Sequence, residues 1–468
     1  MDDKAFVEKL AADIASNGGR AYYVGGYVRD QILQRENKDI DIEVHGITPD
    51  DLMSVLRRYG SVDLQGKSFG VYRVGKYDVD ISQPRRERKI GEKHTDFTVE
   101  VDPFMGVKEA AKRRDFTINA IMQDVLTKEI IDPFNGKTDL QNGWIRHVND
   151  DTFAEDSLRV LRAAQFAARF HFDICPETKE LMKTLSLSEL PRERINEEMK
   201  KAFLKSDKPS VFFEALRQTN QLDVWFPEVK ALINCPQNEF YHPEGDVYTH
   251  TMMVIDSLAK QKNRAKYPYE LILSGLCHDF GKPATLSYNE AKGVHQNIGH
   301  PAAGVEIAKA FLDRIVHDNG IRDFVLESVK NHDDPLKYYN GNSKLRKTNL
   351  FFDSLKYPEE LILLTCADRT TSPAEEVEQY RSWLTDRLDA YKARMEEPQV
   401  LGRDLIEIGL SPSPEFSEIL EDAHKRHLNY EEKDVILRSI KKKHNIEKKE
   451  LPAIRELLKE QEEDLEIE

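Results

Sequence analysis

The sequence predicts an α+β protein in which a mixed α/β region of about 150 residues precedes regions that are helical throughout. From Asp151 onward, apolar residues such as Leu158, Leu161 and Ala164 recur at three- and four-residue spacing, which is typical of amphipathic helices. Before that point, short apolar runs with alternating polar residues indicate strands. These runs lie at residues 20–24, 39–44, 71–74 and 78–81, with a helical stretch from Pro49 to Arg58 among them.

Interruptions of these patterns divide the chain into four regions. The 468 residues are enough for about three or four domains of ordinary size. The helical pattern breaks near residues 234–245 and again at Ser372-Pro373. We therefore expect four regions whose last end, rich in charges of both signs, is a solvated helix or a frayed tail. They are an α/β head at 1–150, a helical neck at 151–235, a third region at 236–372 and a helical tail at 373–468.

Composition excludes several classes of protein. With 40% hydrophobic and 32% charged residues, no apolar run of about 20 residues and no signal-peptide pattern, the chain is expected to be soluble and cytoplasmic. Its four cysteines lie far apart without a Cys-x-x-Cys pair, so we expect most of them to be buried, reduced thiols. The formal net charge of −15 argues against indiscriminate nucleic-acid binding, although one basic face would suffice for an RNA end.

A glycine pair stands at the predicted turn from the first strand into a helix. Gly25 and Gly26 allow backbone amides to approach a phosphate, and Arg29 adds guanidinium donors close by. A glycine pair at a turn is a weak signal when it stands alone. We interpret Gly25, Gly26 and Arg29 as nucleotide-binding residues because acidic residues follow them in the next strand.

Two carboxylates lie in that next strand. Asp39 and Asp41 are two residues apart, so they share one face of a strand while the isoleucines beside them enter the core. Adjacent carboxylates repel unless a cation neutralises them, and such hard oxygen ligands suit Mg²⁺. A third carboxylate is expected from a neighbouring strand, where Asp78 and Asp80 alternate correctly and Asp80 is preferred. The pattern predicts Asp39, Asp41 and Asp80 as catalytic, with the first two as metal ligands.

Two later clusters offer groups for phosphate, sugar and base. Arginine pairs with phosphate oxygens, and aspartate accepts a hydrogen bond from a ribose hydroxyl. The second cluster sets its polar groups on one stripe of a helix, for which a salt-bridged surface helix is the alternative interpretation. The candidate nucleotide-binding residues are Arg113, Arg114, Asp115 and Asn119, then Asp156, Arg159 and Arg162.

With these motifs in this order, the sequence resembles the class II tRNA nucleotidyltransferases, or CCA-adding enzymes, and the related bacterial poly(A) polymerases. The resemblance covers the head and neck and extends over residues 192–227 and a short segment near the end. It implies a polymerase-β-like head in which Asp39 and Asp41 bind two catalytic metals. It also implies that Arg113 and Asp115 hold the phosphates and sugar of the nucleotide.

Three further assignments follow from the resemblance. Residues 132–136 would form a hinge-like turn, residues 83–103 a flexible loop that helps to switch from C to A addition, and Asp156 with Arg159 a protein template. An acceptor and a donor can bind the base edges of cytosine and adenine, which share an exocyclic amine beside a ring acceptor. Uracil and guanine would leave buried polar groups unpaired.

A second metal-binding pattern lies in the third region. Its candidate ligands are His250, His278, Asp279, His300, His332 and Asp368. Imidazole nitrogens with carboxylate oxygens suit Mn, Fe, Co, Ni or Zn better than Mg alone. This pattern resembles the HD phosphohydrolase superfamily, which implies a metal that lowers the pKa of a bound water and directs it at a phosphate ester. Lys282 would pair with that phosphate.

The sequence thus predicts an RNA-end polymerase that adds CCA to tRNA, fused to an HD phosphodiesterase or phosphatase. We expect Mg²⁺ in the first site and a divalent transition metal such as Mn, Co, Ni or Zn in the second. The expected partners are the tRNA 3′ end, CTP and ATP, without DNA or a membrane. The alternatives are a poly(A) polymerase, an enzyme adding only A or only C, and a phosphohydrolase whose head merely binds nucleotide.

Overall fold

The structure is a computed structural model that describes residues 2–65, 70–89 and 97–446. Up to residue 150 the described chain alternates short strands with short helices, as the sequence predicts. The helices of this head are Asp3–Ser16 (α1), Gly26–Ile32 (α2), Pro49–Leu56 (α3), Val107–Lys112 (α4) and Gly136–Asn142 (α5). Its strands are Arg20–Tyr23 (β1), Ile40–His45 (β2), Val62–Gln65 (β3), Val71–Val74 (β4), Val79–Ser82 (β5), Arg85–Lys89 (β6), Phe97–Val101 (β7), Met122–Asp124 (β8), Ile130–Ile131 (β9) and Trp144–Ile145 (β10).

Strand β2 lies at the centre of a seven-stranded mixed sheet in the order β3-β4-β5-β2-β1-β8-β9. It runs parallel to β5 and antiparallel to β1. Ile40, Ile42 and Val44 enter the hydrophobic core from one face of β2, so Asp41 and Glu43 share the opposite face. Strands β6 and β7 form a separate antiparallel hairpin within the stretch predicted to be a flexible loop.

The rest of the described chain is mainly helical, and β11 pairs with β10 to join the neck to the head. Its short strands, which the sequence pattern did not reveal, are Asp173–Ile174 (β11), Ser287–Asn289 (β12) and Val294–Gln296 (β13). The neck helices are Asp150–Glu155 (α6), Leu158–Phe170 (α7), Pro176–Thr184 (α8), Arg192–Lys205 (α9), Ser210–Gln218 (α10) and Pro227–Ala231 (α11). The third region has Val247–Lys260 (α12), Pro268–Cys277 (α13), Lys282–Thr285 (α14), His300–Ile315 (α15), Asn319–Asn331 (α16), Asp334–Asn340 (α17), Leu345–Asp353 (α18) and Pro358–Ala367 (α19). The tail has Ala374–Glu396 (α20), Gly402–Glu407 (α21), Glu415–Leu428 (α22) and Lys433–Lys443 (α23).

The hydrophobic cores extend across the predicted regions of the chain. One continuous core includes the head, the neck, the third region and the side chains Tyr380, Leu384 and Leu388 of α20. A second, smaller core begins at Val400. Helix α20 begins directly after Ser372-Pro373, where the sequence predicts a break, and it packs against the third region.

The segment predicted as a hinge-like turn is tightly fixed in this structure. The Asp132 carboxylate accepts hydrogen bonds from the backbone N–H groups of Gly136 at 2.7 Å and Lys137 at 2.9 Å. A Cβ at Gly136 would overlap the carbonyl oxygen of Thr117, so this close approach requires glycine.

Two expectations about the whole chain concern membranes and cysteines. Within residues 2–65, 70–89 and 97–446, no helix has both the length and the apolar character to cross a membrane. The four cysteines are buried and free, which agrees with the expectation of reduced thiols.

The charged end predicted as a solvated helix or frayed tail lies mostly beyond residue 446 and so mostly outside the described residues.

Candidate active sites

Asp41 and Asp80 face each other across the parallel pair of β2 and β5, where they are register partners. Burial raises the pKa of Asp41 to about 6, the nearby Arg114 opposes that rise, and the charges of Asp80 and Asp39 add to it. Asp39 is exposed and directly precedes β2. A raised carboxyl pKa in a cluster of acids is the electrostatic condition that a bound cation relieves.

Between the two candidates for the third carboxylate, Asp80 is the one beside Asp41. Asp80 lies within β5 and accepts from Arg73 Nε at 2.5 Å. Asp78 precedes the strand, and its side chain is 74% exposed. Alternation alone does not distinguish residues 78 and 80, which are two positions apart; the register does, because only Asp80 is paired with Asp41.

The glycine turn also lies at this acidic face. Gly25 has a left-handed φ of 64°, and a Cβ there would lie 3.6 Å from an Arg114 guanidinium nitrogen and 3.8 Å from Asp41 Oδ2. Gly26 begins α2 directly after it. The glycine turn, the carboxylate of Asp41 and the guanidinium of Arg114 therefore occupy one small space, as the order of motifs in the sequence indicates.

Arg29 differs from its predicted role as a phosphate donor. Its side chain is 4% exposed, and it donates to Asp30 at 2.8 Å and to Asn119 at 2.6 Å. Its guanidinium also lies 4.6 Å from the ring centroid of Phe170 in the neck. Arg29 thus links α2 to Asn119 and contacts the neck through Phe170, and its buried donors are paired within the protein.

Glu43, on the same face of β2 as Asp41, is a site residue that sequence reasoning missed. It is 1% exposed and accepts from Arg114 at 3.2 Å and from Arg113 at 3.4 Å. Burial alone would raise its pKa, but the hydrogen bond from His45 and the two arginines lower the pKa of Glu43 to about 2. The alternation of acids continued to this position, so the signal was present in the sequence.

Asp115 joins the head to the neck. Arg162 of α7 donates to Asp115 Oδ2 at 2.8 Å, and Asn119 donates to Asp115 Oδ1 at 2.9 Å. Burial would raise the pKa of Asp115, but Arg162 and the hydrogen bond from Asn119 hold it below its usual value. Both oxygens of the predicted sugar-binding carboxylate therefore already accept hydrogen bonds from the protein.

The two predicted template residues make separate contacts in this structure. Asp156 accepts from the backbone N–H of Leu158 at 3.1 Å and from Arg194 at 3.3 Å. Arg159 donates to the carbonyl oxygens of Arg113, at 2.9 Å, and of Thr152. The guanidinium is thus held by backbone oxygens, whereas the template role requires it to face a base.

A largely basic cleft opens between the β6 strand of the head and the start of the neck. Arg159 lines the wall of this cleft, so its side chain borders open space there. The other lining residues are Arg85, Arg86, Met105, Glu109, Lys112, Arg113, Thr152 and Glu155. A cleft with several arginines suits the phosphates of a nucleotide or of an RNA strand.

In the third region, helix ends bring histidine and aspartate side chains to one point. His250 Nε2 lies 2.8 Å from Asp368 Oδ1 and 3.8 Å from Asp279 Oδ2, and His278 Nε2 lies 3.2 Å from Asp279 Oδ2. His278 and Asp368 end α13 and α19, while His250 lies within α12. Ligand atoms of His250, His278 and Asp279 lie close enough together for one metal ion.

Asp279 also belongs to a second group of possible ligands. Its Oδ1 lies 3.3 Å from His300 Nε2 and 4.0 Å from His332 Nε2, and the two histidine nitrogens are 3.1 Å apart. These three residues form another group of the size that holds one ion. The structure thus brings all six predicted ligands together, with Asp279 shared between two groups.

The Nδ1 atoms of these histidines fix the direction of their rings. His278 Nδ1 donates to the carbonyl oxygen of Gly275 at 2.7 Å, His300 Nδ1 to that of Asn297 at 2.9 Å and His332 Nδ1 to that of Val329 at 2.7 Å. The Nε2 lone pairs are then free to face the centre of the cluster, which is how metal-binding histidines are oriented. His278 Nε2 is buried and makes no hydrogen bond with any described residue.

Three polar residues lie beside this cluster: Glu244, Gln237 and Lys282. The sequence analysis did not identify the first two. Glu244 accepts from His250 Nδ1 at 2.6 Å, and Gln237 accepts from Lys282 at 3.0 Å. Lys282 lies 2.7 Å from Asp279. Burial lowers the pKa of His278, yet Asp279 and then Asp368 raise it to about 10, so the cluster favours a cation at its centre.

Comparison with known proteins gives three family models in the same order as the regions of the fold. The Poly A polymerase head domain matches residues 21–146, the probable RNA and SrmB-binding site of polymerase A matches residues 171–233, and the HD domain matches residues 247–372. A multifunctional CCA protein of Actinobacillus pleuropneumoniae is 37% identical over 352 residues, which is 71% of this chain and 83% of that protein. One of Pasteurella multocida is 39% identical over 313 residues, 65% of this chain and 72% of that protein.

Solved structures share this fold across most of the chain. A CCA-adding enzyme in an apo form gives a TM-score of 0.65 at 20% identity, covering 93% of this chain and 95% of that one. The Thermotoga maritima CCA-adding enzyme complexed with tRNA gives 0.62 at 20% identity, covering 93% and 94%. The polymerase-β-like head with a helical remainder, predicted from sequence, is confirmed.

Proposed function

Because this chain belongs to the family of multifunctional CCA proteins, we propose that it adds CCA to the 3′ end of tRNA from CTP and ATP. The observation that carries this proposal is the pairing of Asp41 with Asp80 across β2 and β5, beside the glycine turn and Arg114. Because the proposed substrate is tRNA, we also propose that the protein is located in the cytoplasm.

The acidic face suits a divalent cation, and we propose that the ion is Mg²⁺. Asp39, Asp41 and Asp80 would hold it, since burial, with the charges of Asp80 and Asp39, raises the pKa of Asp41 and a bound cation would favour its charged form. When bound, Mg²⁺ supplies positive charge that activates the attacking 3′ hydroxyl and stabilises the phosphate. Arg114 lies beside Asp41 and is held by Glu43, so we assign it to bind and orient triphosphate oxygens.

The decisive experiment is incubation with tRNA that lacks its 3′ CCA, supplying CTP and ATP separately and together. Addition of two C residues with CTP and completion with both nucleotides is the expected result. A long A tract with ATP alone would favour the poly(A) polymerase, and addition of only one kind of nucleotide would favour the restricted enzymes. No addition under any condition would leave the phosphohydrolase with a nucleotide-binding head.

We propose a second activity, hydrolysis of a phosphate ester, at the histidine-aspartate cluster. The six ligands and the lack of a hydrogen bond at His278 Nε2 support a divalent transition metal there. A bound metal supplies an acidified water for attack on phosphorus. Lys282 lies at the same cluster and would bind the phosphate oxygens, while Glu244 holds the His250 ring in its orientation. The test is release of phosphate from nucleotide esters, with and without added Mn²⁺.

The division into regions accompanies these activities as a proposal. We propose a nucleotidyltransferase head at residues 1–150, a neck that binds nucleotide and RNA at 151–235, and an HD phosphohydrolase at 236–372. The packing of α20 supports extending the phosphohydrolase region to about residue 396. A small helical unit follows from Val400.

A further inference from the structure

Two glycines bring the turn at residues 278–281, here called the ligand turn, against the start of α15. Gly281 has a φ of −78°, which any residue adopts, so the backbone conformation does not require glycine there. The space around it does, because a Cβ at Gly281 would overlap the carbonyl oxygen of His300 and lie 2.6 Å from the backbone nitrogen of Gly304. Both are backbone atoms of the first turn of α15, which no side-chain rotation can move aside. The ligand turn and α15 therefore approach each other at a distance that only glycine allows.

The ligand turn carries Asp279, the residue that belongs to both groups of candidate metal ligands. Phe280 follows it, is buried, and packs edge to face on Phe311 of α15 at 5.3 Å between ring centroids. An aromatic contact and the close backbone approach at Gly281 thus hold the ligand turn on α15. In this position Asp279 Oδ1 lies 3.3 Å from Nε2 of His300, the first residue of the same helix.

Gly304 lies between the ligand turn and α16, the helix that is followed directly by His332. A Cβ at Gly304 would lie 3.3 Å from the backbone nitrogen of Gly281 and 3.3 Å from Cγ1 of Val329 in α16. The carbonyl oxygen of Val329 accepts from His332 Nδ1 at 2.7 Å, and His332 Nε2 lies 3.1 Å from His300 Nε2. A change in spacing at Gly304 would therefore reach both histidines of the second ligand group.

We propose that the contact of Gly281 with Gly304 sets the spacing of the second ligand group and so determines whether the cluster holds a second metal ion. This group is Asp279 with His300 and His332. The inference rests on the proposed phosphohydrolase activity and assigns positioning roles to two residues that would not themselves touch an ion. Residues behind the ligands control metal affinity because they fix the orientation of the ligands. The first ligand group takes its histidines from α12 and from the end of α13, so it should tolerate a shift of α15.

The test compares metal content in wild type and variants after they are loaded with Mn²⁺ and the excess is removed. Wild type should retain about two Mn²⁺ ions per chain, one for each group, and should give the paramagnetic resonance spectrum of a coupled Mn²⁺ pair. Gly281→Ala should retain one ion and lose the spectrum of the pair. Gly136→Ala is the matched control, because its Cβ would also overlap a backbone carbonyl oxygen, but in the head. It should lose stability and keep both ions.

Gly304→Ala gives a second measurement if Gly281→Ala does not fold. Its Cβ would make tight contacts without overlap, so it should fold and bind the second Mn²⁺ about 10-fold more weakly in calorimetric titration. The proposal is overturned by a folded Gly281→Ala that keeps the Mn²⁺ pair, by wild-type affinity in Gly304→Ala, or by wild-type protein that binds a single Mn²⁺.

Metal-free crystal structures separate this proposal from the proposed phosphohydrolase activity. In whichever glycine variant folds, the 3.3 Å distance between Asp279 Oδ1 and His300 Nε2 should lengthen beyond the hydrogen-bond range. An unchanged distance overturns the positioning role, whatever metal the protein binds. If wild-type protein takes up no Mn²⁺ and hydrolyses no phosphate ester, the phosphohydrolase proposal fails, and this distance still decides the role of the two glycines.

Discussion

Arg162 of the neck helix α7 donates to the carboxylate of Asp115 in the head at 2.8 Å, so one ion pair joins two regions of the chain. Asn119 accepts from Arg29 and donates to Asp115, and it extends this contact to the helix that follows the glycine turn. The helix that follows the glycine turn and the neck are consequently held by one connected set of polar groups. Changes in this set should affect stability and nucleotide addition together.

We predict that Asp115→Asn lowers the free energy of unfolding by about 2 kcal/mol at pH 7, because Arg162 loses a charged acceptor. The pKa of Asp115 is lower in the folded protein than in the unfolded chain, where it is about 3.9. The stabilisation that this carboxylate contributes is therefore complete above the unfolded-state pKa and is lost as the pH falls through the folded-state pKa. Urea unfolding at pH 7, 5 and 3 should therefore show a difference from wild type that shrinks at pH 3. Asp78→Asn, at an exposed carboxylate, is the control and should show no such difference.

Asp41→Asn should reduce CCA addition by roughly 100- to 1,000-fold, since it removes a metal ligand at the centre of the acidic face. Incorporation of labelled CTP and ATP is the measurement. Phosphate-ester hydrolysis by the same variant should be unchanged because the histidine-aspartate cluster lies in another region. Asp78→Asn again serves as the control, and equal losses in the two variants would refute the assignment of Asp41 and Asp80.

Arg159→Ala should relax the discrimination against UTP and GTP by roughly 10- to 200-fold. The physical reason is the loss of a donor at the wall of the basic cleft, where a base would otherwise meet a matched hydrogen-bonding edge. The ratio of kcat/KM across the four nucleotides is the quantity to measure. Arg217→Ala, which removes a surface arginine paired with Glu214, should leave the ratio unchanged. If Arg159→Ala only lowers stability, the arginine is structural, as its contacts with backbone oxygens would suggest.

Chelation should abolish phosphate-ester hydrolysis, and Mn²⁺, Co²⁺ or Ni²⁺ should restore it better than Ca²⁺, which prefers six to eight oxygen ligands. His278→Ala should lose bound transition metal in elemental analysis, whereas His317→Ala, at an exposed histidine, should retain it. Mg²⁺-dependent CCA addition should survive His278→Ala. Purified wild-type protein that takes up no transition metal would contradict the assignment of this cluster.

Gly136→Ala should destabilise the head by about 2 kcal/mol, because the added Cβ would overlap the carbonyl oxygen of Thr117. Gly106→Ala is the matched control, since a Cβ at Gly106 meets nothing within 4 Å. Thermal unfolding of the two variants is the measurement. Equal stability would show that the chain around residues 132–136 yields easily, as a hinge would.

Local patterns in the sequence were sufficient for the fold class and for most of the candidate residues of both clusters. Alternation pointed to Asp39 and Asp41, and the order of histidines and aspartates pointed to the six candidate ligands of the third region. These signals are readable because strand and helix periodicities are properties of consecutive residues.

The three-dimensional arrangement decided the partners of individual side chains. The register of β2 with β5 placed Asp80 beside Asp41, and packing within the head brought Arg29 to Asn119, while packing of the neck on the head set Phe170 against the Arg29 guanidinium. Glu43 was readable as part of an acidic alternation, yet its role in holding Arg114 depends on residues 70 positions away or more. Likewise, α20 joined the core of the third region although a proline precedes it. Such contacts between distant segments follow from packing of whole elements, which no local periodicity encodes.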